Sequence, residues 1–262
     1  MIALALCETL VAWAVFFQSL ELLSLRREFS SRGIWRWKTI APEFGLLARI
    51  FRGVLGDRSF SWLLVFQAVA AAAIAGGSGQ YLPLCLALGC LLVSMRFRGA
   101  FNGGSDCMTL VVLGSVAGAR AMGSSPRAEL VALGYIGVQS ALSYGVAGWA
   151  KLKEPCWRDG SALGLFMRFP QYAWPRPLAA LLGSSAISRL SCWAVIAGEL
   201  GFFVVLGATA LGFKLSLAAA AWVLIFGAVF HLVNFWAFGL NRFFWAWLSS
   251  YPALFFWLTG FG

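Results

Sequence analysis

The chain has 262 residues, of which 61% are hydrophobic, 16% aromatic and only 11% charged. A mean hydropathy of +0.81 exceeds what any water-soluble core requires, so a soluble globular protein is excluded and one polytopic membrane domain over residues 1–262 is expected. The net charge of +10 belongs to the loops, where it suggests attraction to anionic headgroups and sets orientation; nucleic acid is not expected as a partner.

Residues 1 to about 23 form a long apolar stretch with no basic residue before it and with Glu8 inside. That pattern predicts a first transmembrane helix and not a cleaved signal peptide. Glu8 is then an intramembrane carboxylate near the outer interface, facing protein. Arg26 to Lys38 interleaves basic residues with Trp35 and Trp37, which reads as an anchor at the headgroups. Ile40 to Leu55 sets Leu46, Leu47, Ile50, Phe51, Val54 and Leu55 opposite Arg49 and Arg52, the pattern of an amphipathic helix lying in the interface.

Ser61–Ala75 and Leu82–Met95 are the next spans, joined by a glycine-rich turn at 76–80. Glycines beside Asn102, Ser105 and Asp106 then predict an irregular backbone at the mouth of a span from Met108 to Met122. Two readings stand: Asp106 caps the following helix, or the irregular backbone lines a polar cavity. Val131–Ala150 is another span. Asp159–Ser188, rich in Pro and Trp, is interfacial or re-entrant. Leu190–Leu211 carries Glu199 near its middle, a carboxylate bonded to a neighbouring helix. Leu215 to Phe238 follows, and Phe243 to Phe261 is a last aromatic segment interrupted by Pro252.

The expected fold is all-α, a polytopic transmembrane bundle of about seven to eight spans with interfacial amphipathic helices. With the N-terminus outside, the loops 24–60, 96–106 and 151–189 and the turn at Arg242 are cytoplasmic. Of the 20 basic residues only Arg120, Arg127 and Lys214 then fall on the other side.

The six cysteines contain no C-x-x-C pair, which argues against a disulfide oxidoreductase. With one histidine there is no zinc spacing, and no metal is expected. Two places invite chemistry. Lys151 lies where an apolar helix leaves the hydrocarbon, so it is either a functional ionisable group or a lysine snorkelling to the headgroups. Further on, His231, Asn234 and Asn241 fall near one helical face. A polar stripe in such a helix faces protein, either as interhelical glue or as a site.

Ala147, Gly148, Lys151 and Leu152, followed by Trp157, Gly160 and Leu163, form an A-G-x-x-K-L…W-x-x-G-x-x-L string. It resembles the membrane domain of vitamin K-dependent gamma-carboxylase, which is shared with the bacterial horizontally transferred transmembrane (HTTM) family. Phe230, His231 and Asn234, then Gly239 and Phe243, resemble a second segment of that family, F-H-x-x-N with a trailing G and F. The resemblance implies quinol-linked modification or maturation of a peptide or protein. In the family, a lysine matching Lys151 is the base that deprotonates a reduced naphthoquinone. Lys151 and His231 are therefore the expected catalytic residues, and His231, Asn234, Trp157 and Asp106 the expected contacts to a quinone or quinol.

Three departures accompany the match. Ala150 stands in place of a paired lysine, the loop near Asp106 lacks the family's histidine, and the extramembrane part that grips a protein substrate has no counterpart. The animal enzyme also works on the lumenal side, whereas the charge bias puts Lys151 on the cytoplasmic side. The resemblance implies a bacterial inner-membrane location, with other membrane or maturation proteins as partners. The alternative is a non-catalytic accessory subunit of a larger redox or photosynthetic membrane complex, holding quinone, lipid or pigment. A single histidine argues against a bis-His haem.

Overall fold

The computed structural model describes residues 2–77, 79–97, 103–169 and 174–260. They are helical, with no strand among them. Among the described residues, five helices are long and apolar enough to cross a membrane: α1 (Ile2–Ser24), α4 (Asp57–Ala75), α7 (Pro126–Lys153), α11 (Ser185–Ala210) and α12 (Leu217–Phe238). Between α1 and α4 lie α2 (Trp37–Ile40), a 3-10 helix (Ala41–Leu47) and α3 (Ala48–Leu55). After α4 come α5 (Leu82–Arg96) and α6 (Gly103–Ala121). Beyond α7 are α8 (Pro155–Asp159), α9 (Ser161–Met167) and α10 (Arg176–Leu182), and after α12 come α13 (Asn241–Leu248) and α14 (Tyr251–Thr259).

The helix ends follow local chemistry. Pro155 stops α7, because a proline disfavours helical backbone in the residue before it. The Ser216 hydroxyl accepts from the Ala219 N–H at 3.3 Å and so caps the start of α12. Gly239, at φ 69, ends that helix.

The chain forms two compact units, Met1–Ala132 with Trp245–Ser249, and Leu133–Phe244 with Ser250–Gly262. In the first, α1 packs against α4 and α6, and α5 against α4 and α6. One end of this unit is an aromatic core of Phe29, Trp37, Phe60 and Phe97 with Leu22, Leu55, Leu64 and Val93. A fully buried arginine threads it. Arg96 donates to the carbonyls of Leu55 (2.9 Å) and Phe29 (3.3 Å) and to Asp57 Oδ1 (3.2 Å), with the rings of Phe29 and Phe60 beside its guanidinium. The buried Glu8 is paired with Arg120, as a carboxylate facing protein should be.

In the second unit α11 packs against α8, α9 and α10, and α14 against α11 and α12. Trp257 of α14 donates its indole N–H to the carbonyl of Leu133 in α7 at 3.1 Å.

Four expectations are corrected. Residues 40–55 are not one amphipathic helix, because Gly45 adopts φ 53 and divides the segment. Trp37 is not a headgroup anchor. It is buried, and its main-chain N–H donates to Asp57 at 2.6 Å, drawing it into the core. Asn241 does not continue the stripe of His231 and Asn234, because α12 ends at Phe238 and Asn241 opens α13. Asp106 does not precede a helix as its cap, because α6 starts at Gly103 and includes it. Residues 98–102 of the expected irregular loop lie outside the described residues.

Candidate functional site

The site is assembled where α7 crosses α11 in the second unit. A Cβ on Gly148 would stand 2.9 Å from Leu200 Cγ and 3.1 Å from Glu199 Cβ, so only a glycine lets the two helices approach this closely. Three residues on, and therefore on the same helical face, Lys151 reaches Glu199. Its Nζ donates to both carboxylate oxygens, at 2.8 and 2.7 Å. Glu199 is buried, and its charge is met by an ammonium bonded in two places, the arrangement that makes a buried carboxylate tolerable.

The chain then folds back over this pair. The Trp157 ring of α8 lies 5.4 Å from Lys151 Nζ, within cation–π reach. Gly160 joins α8 to α9 at φ 89, and a Cβ there would meet Arg189 Cα at 2.5 Å. Its carbonyl accepts from the Ser188 hydroxyl at 2.6 Å, which ties the α8–α9 corner to α11. The glycines of the A-G-x-x-K and W-x-x-G strings are thus contact points with α11.

Tyr144 lies two turns before Lys151 on α7. Its hydroxyl is 2.7 Å from His231 Nε2 of α12, and its ring stacks on Phe202 of α11 with centroids 4.7 Å apart. His231 is buried, with the rings of Phe230 and Phe243 at 5.2 and 5.1 Å. Between α7, α11 and α12 lies a crevice of about 170 Å³, lined by apolar side chains such as Phe202, Phe226, Val229 and Phe230. Glu199 and Tyr144 are its polar lining residues. Phe226 and Val229 are also exposed on the outer surface of α12, so the crevice borders the apolar face of that helix.

Of the expected site residues, Lys151 and Trp157 come together, and His231 joins the same unit through Tyr144. Asn234 is part-buried and gives its amide N–H to the carbonyl of Phe230 in its own helix, at 2.9 Å. Asp106 lies in the first unit, where it accepts from Gln18 Nε2 at 3.2 Å. Among the described residues no cluster of His, Cys, Asp and Glu could hold a metal ion.

Sequence reasoning assigned no role to Tyr144 and no partner to Glu199. A spacing of seven residues places Tyr144 and Lys151 on one face of a helix, and that signal was legible. The partner of Glu199 was not, since it requires knowing which helices cross. No protein-family model, no curated protein and no solved structure matches the chain.

Proposed function

We propose that this chain is an integral membrane protein with a vitamin K-dependent carboxylase-like core of the HTTM kind. It takes the head of a quinol-type hydroxy-aromatic molecule from the bilayer into the crevice between α7, α11 and α12. The observation that carries this reading is an almost wholly apolar crevice whose lining residues include Glu199, a buried carboxylate charge-paired with Lys151. Ligand sites are mostly apolar with a few placed polar groups, and a cavity of about 150 Å³ already accepts one benzene ring. A crevice of about 170 Å³ therefore suits one aromatic head, with any tail left along the exposed side of α12.

A quinol, when bound, supplies an acidic hydroxyl. Glu199, the one carboxylate among the lining residues, is the group this reading assigns to accept that proton, with Lys151 remaining cationic beside the negative charge left behind. The base is thus the pair and not the lysine alone, because an ammonium bonded to two carboxylate oxygens has no free electron pair. Tyr144 also lines the crevice, and its hydroxyl is bonded to His231 behind it. Modification or maturation of a peptide or protein by a quinol-linked reaction is the activity this reading assigns.

The proposal extends to topology. Counting α5 and α6 as further crossings makes seven spans, with the N-terminus outside and the Lys151 end cytoplasmic by the basic-residue bias, in a bacterial inner membrane. At 15 residues α5 rises only about 22 Å, which requires local thinning of the bilayer.

One observation favours the second reading, an accessory subunit of a membrane complex. α12 leaves Trp222, Ile225, Leu232 and Trp236 exposed, a surface that suits a neighbouring membrane protein as well as lipid.

The test is titration of the protein in nanodiscs with a short-tailed naphthoquinol, read by quenching of tryptophan fluorescence. Glu199→Gln removes a charge-assisted bond and should weaken binding about tenfold or more. Val229→Trp, which fills the crevice, should abolish it. Unchanged binding in both variants sinks the proposal, and co-purification of a fixed set of membrane subunits with no bound quinone favours the accessory role.

A further inference from the structure

The first unit carries a second concave feature, unrelated to the crevice above. The segment joining α1 to α4 encloses a groove of about 1200 Å³. Lys38, Arg52 and Arg58 line it, together with the hydroxyl-bearing Ser30, Ser31 and Ser59. Gly45 also lines it, and its φ of 53 is what turns the 3-10 helix back against α3 to make the concavity.

The charge balance of this groove is one-sided. The one carboxylate among its lining residues, Asp57, is already engaged. Its Oδ1 accepts from the buried Arg96 at 3.2 Å and from the Trp37 N–H at 2.6 Å. Among the described residues no carboxylate pairs with Lys38, Arg52 or Arg58. Three cations therefore line one groove with no ion pair to a carboxylate among the described residues, and the acid beside them is engaged by Arg96.

Beside the groove stands an apolar ridge. Leu46 is 98% exposed and Ile50 71%, with Leu47 and Val54 also exposed on the same short stretch. Monomeric proteins rarely leave so many large apolar side chains together in water. Here they flank a cationic groove at the ends of two membrane-crossing helices, α1 and α4. A ligand with a phosphate and hydrocarbon chains matches both halves of this surface at once.

We propose that this groove is a discrete binding site for a phosphate-bearing lipid headgroup. The phosphate is held by Lys38, Arg52 and Arg58 with hydroxyls from the serines, and the acyl chains lie along Leu46 and Ile50. Arg52 and Arg58 suit the role because a guanidinium matches phosphate oxygens in pairs. This is a single-site claim, distinct from the diffuse attraction of a basic protein to an anionic membrane.

The test is native mass spectrometry of the full chain in detergent at fixed ionic strength, titrated separately with phosphatidylglycerol, phosphatidylcholine and inorganic phosphate. One phosphatidylglycerol should bind tightly and saturably, with little competition from inorganic phosphate at the same concentration. The triple variant Lys38→Gln/Arg52→Gln/Arg58→Gln should weaken that binding on the order of a hundredfold, since each basic residue contributes about fivefold. The control Arg26→Gln/Arg27→Gln/Arg49→Gln removes the same charge from exposed positions outside the groove and should change it less than about threefold. Arg52→Lys/Arg58→Lys keeps the charge and checks that the groove folds. Equal losses in both triple variants would overturn the site in favour of diffuse attraction. Full competition by inorganic phosphate would overturn the lipid as its occupant.

Discussion

Lys151 and Glu199 are joined through both carboxylate oxygens, at 2.8 and 2.7 Å, across the contact of α7 with α11. The two side chains are 23% and 8% exposed, so neither charge is well served by solvent. In that setting the pair is a constraint on structure before it is anything else. Each partner is costly without the other.

Lys151→Met should therefore destabilise the protein by about 3–5 kcal/mol, because it leaves Glu199 charged or protonated with no partner. Lys151→Met/Glu199→Met, which removes both charges, should recover to within about 1 kcal/mol of the parent. Equilibrium unfolding in mixed micelles reads the difference. A double variant no more stable than the single one would show that the pair is not what holds this crossing.

The crossing itself depends on Gly148. Gly148→Val places a side chain against Leu200 and Glu199, at positions where a Cβ alone comes within 2.9 and 3.1 Å. Overpacking of this kind costs about 1–3 kcal/mol. It should also part Lys151 from Glu199, so that in the Gly148→Val background Lys151→Met has little further effect on stability. Additive losses would refute the link.

Two glycines four residues apart should behave in opposite ways. At Gly160, φ is 89 and a Cβ would strike the main chain of Arg189, which no rotamer change relieves. Gly160→Ala should cost about 2–4 kcal/mol. Gly164 lies inside α9 with nothing within 4 Å of its Cβ position, and Gly164→Ala should stabilise by about 0.5–1 kcal/mol. Thermal unfolding of the two variants side by side makes the comparison.

Arg96 offers a chemical test of shape over charge. It is fully buried and donates to two carbonyls and one carboxylate from a single planar group. Arg96→Lys keeps the charge but cannot span those acceptors, and should lose about 3 kcal/mol, close to the loss from Arg96→Met. If lysine restores stability, charge alone holds this core.

Tyr144→Phe removes the hydroxyl 2.7 Å from His231 Nε2 while keeping the ring stacked on Phe202. Polar contacts between membrane helices contribute about 1 kcal/mol, and a loss of that size is expected. His231→Gln, which preserves a hydrogen-bonding group, should lose less than His231→Leu. The order of the three variants in unfolding experiments is the readout.

Much of the helical order was legible from the chain alone. Apolar runs, prolines such as Pro155 and glycines such as Gly239 mark where helices run and stop, because those preferences act within a few residues. The same local reasoning placed Glu8 and Glu199 in apolar helices and required partners for both. It misjudged Trp37, whose neighbours in sequence are basic and whose partner, Asp57, is 20 residues away. It also ran one helical face through Gly239 to Asn241, although a glycine at φ 69 ends the helix first.

What the chain determined by itself was an apolar, helical, membrane-compatible protein with a lysine at a helix end and one histidine deep in another helix. The tertiary structure alone decided that Lys151 answers Glu199, 48 residues on, and that Tyr144 answers His231, 87 residues on. The physical reason lies in the solvent. A helix in water marks its buried face by putting polar residues on the other, whereas a helix in lipid is apolar on both. Which faces meet is then set by the absence of a Cβ at Gly148 and by a few polar side chains, and those act only once the helices have crossed.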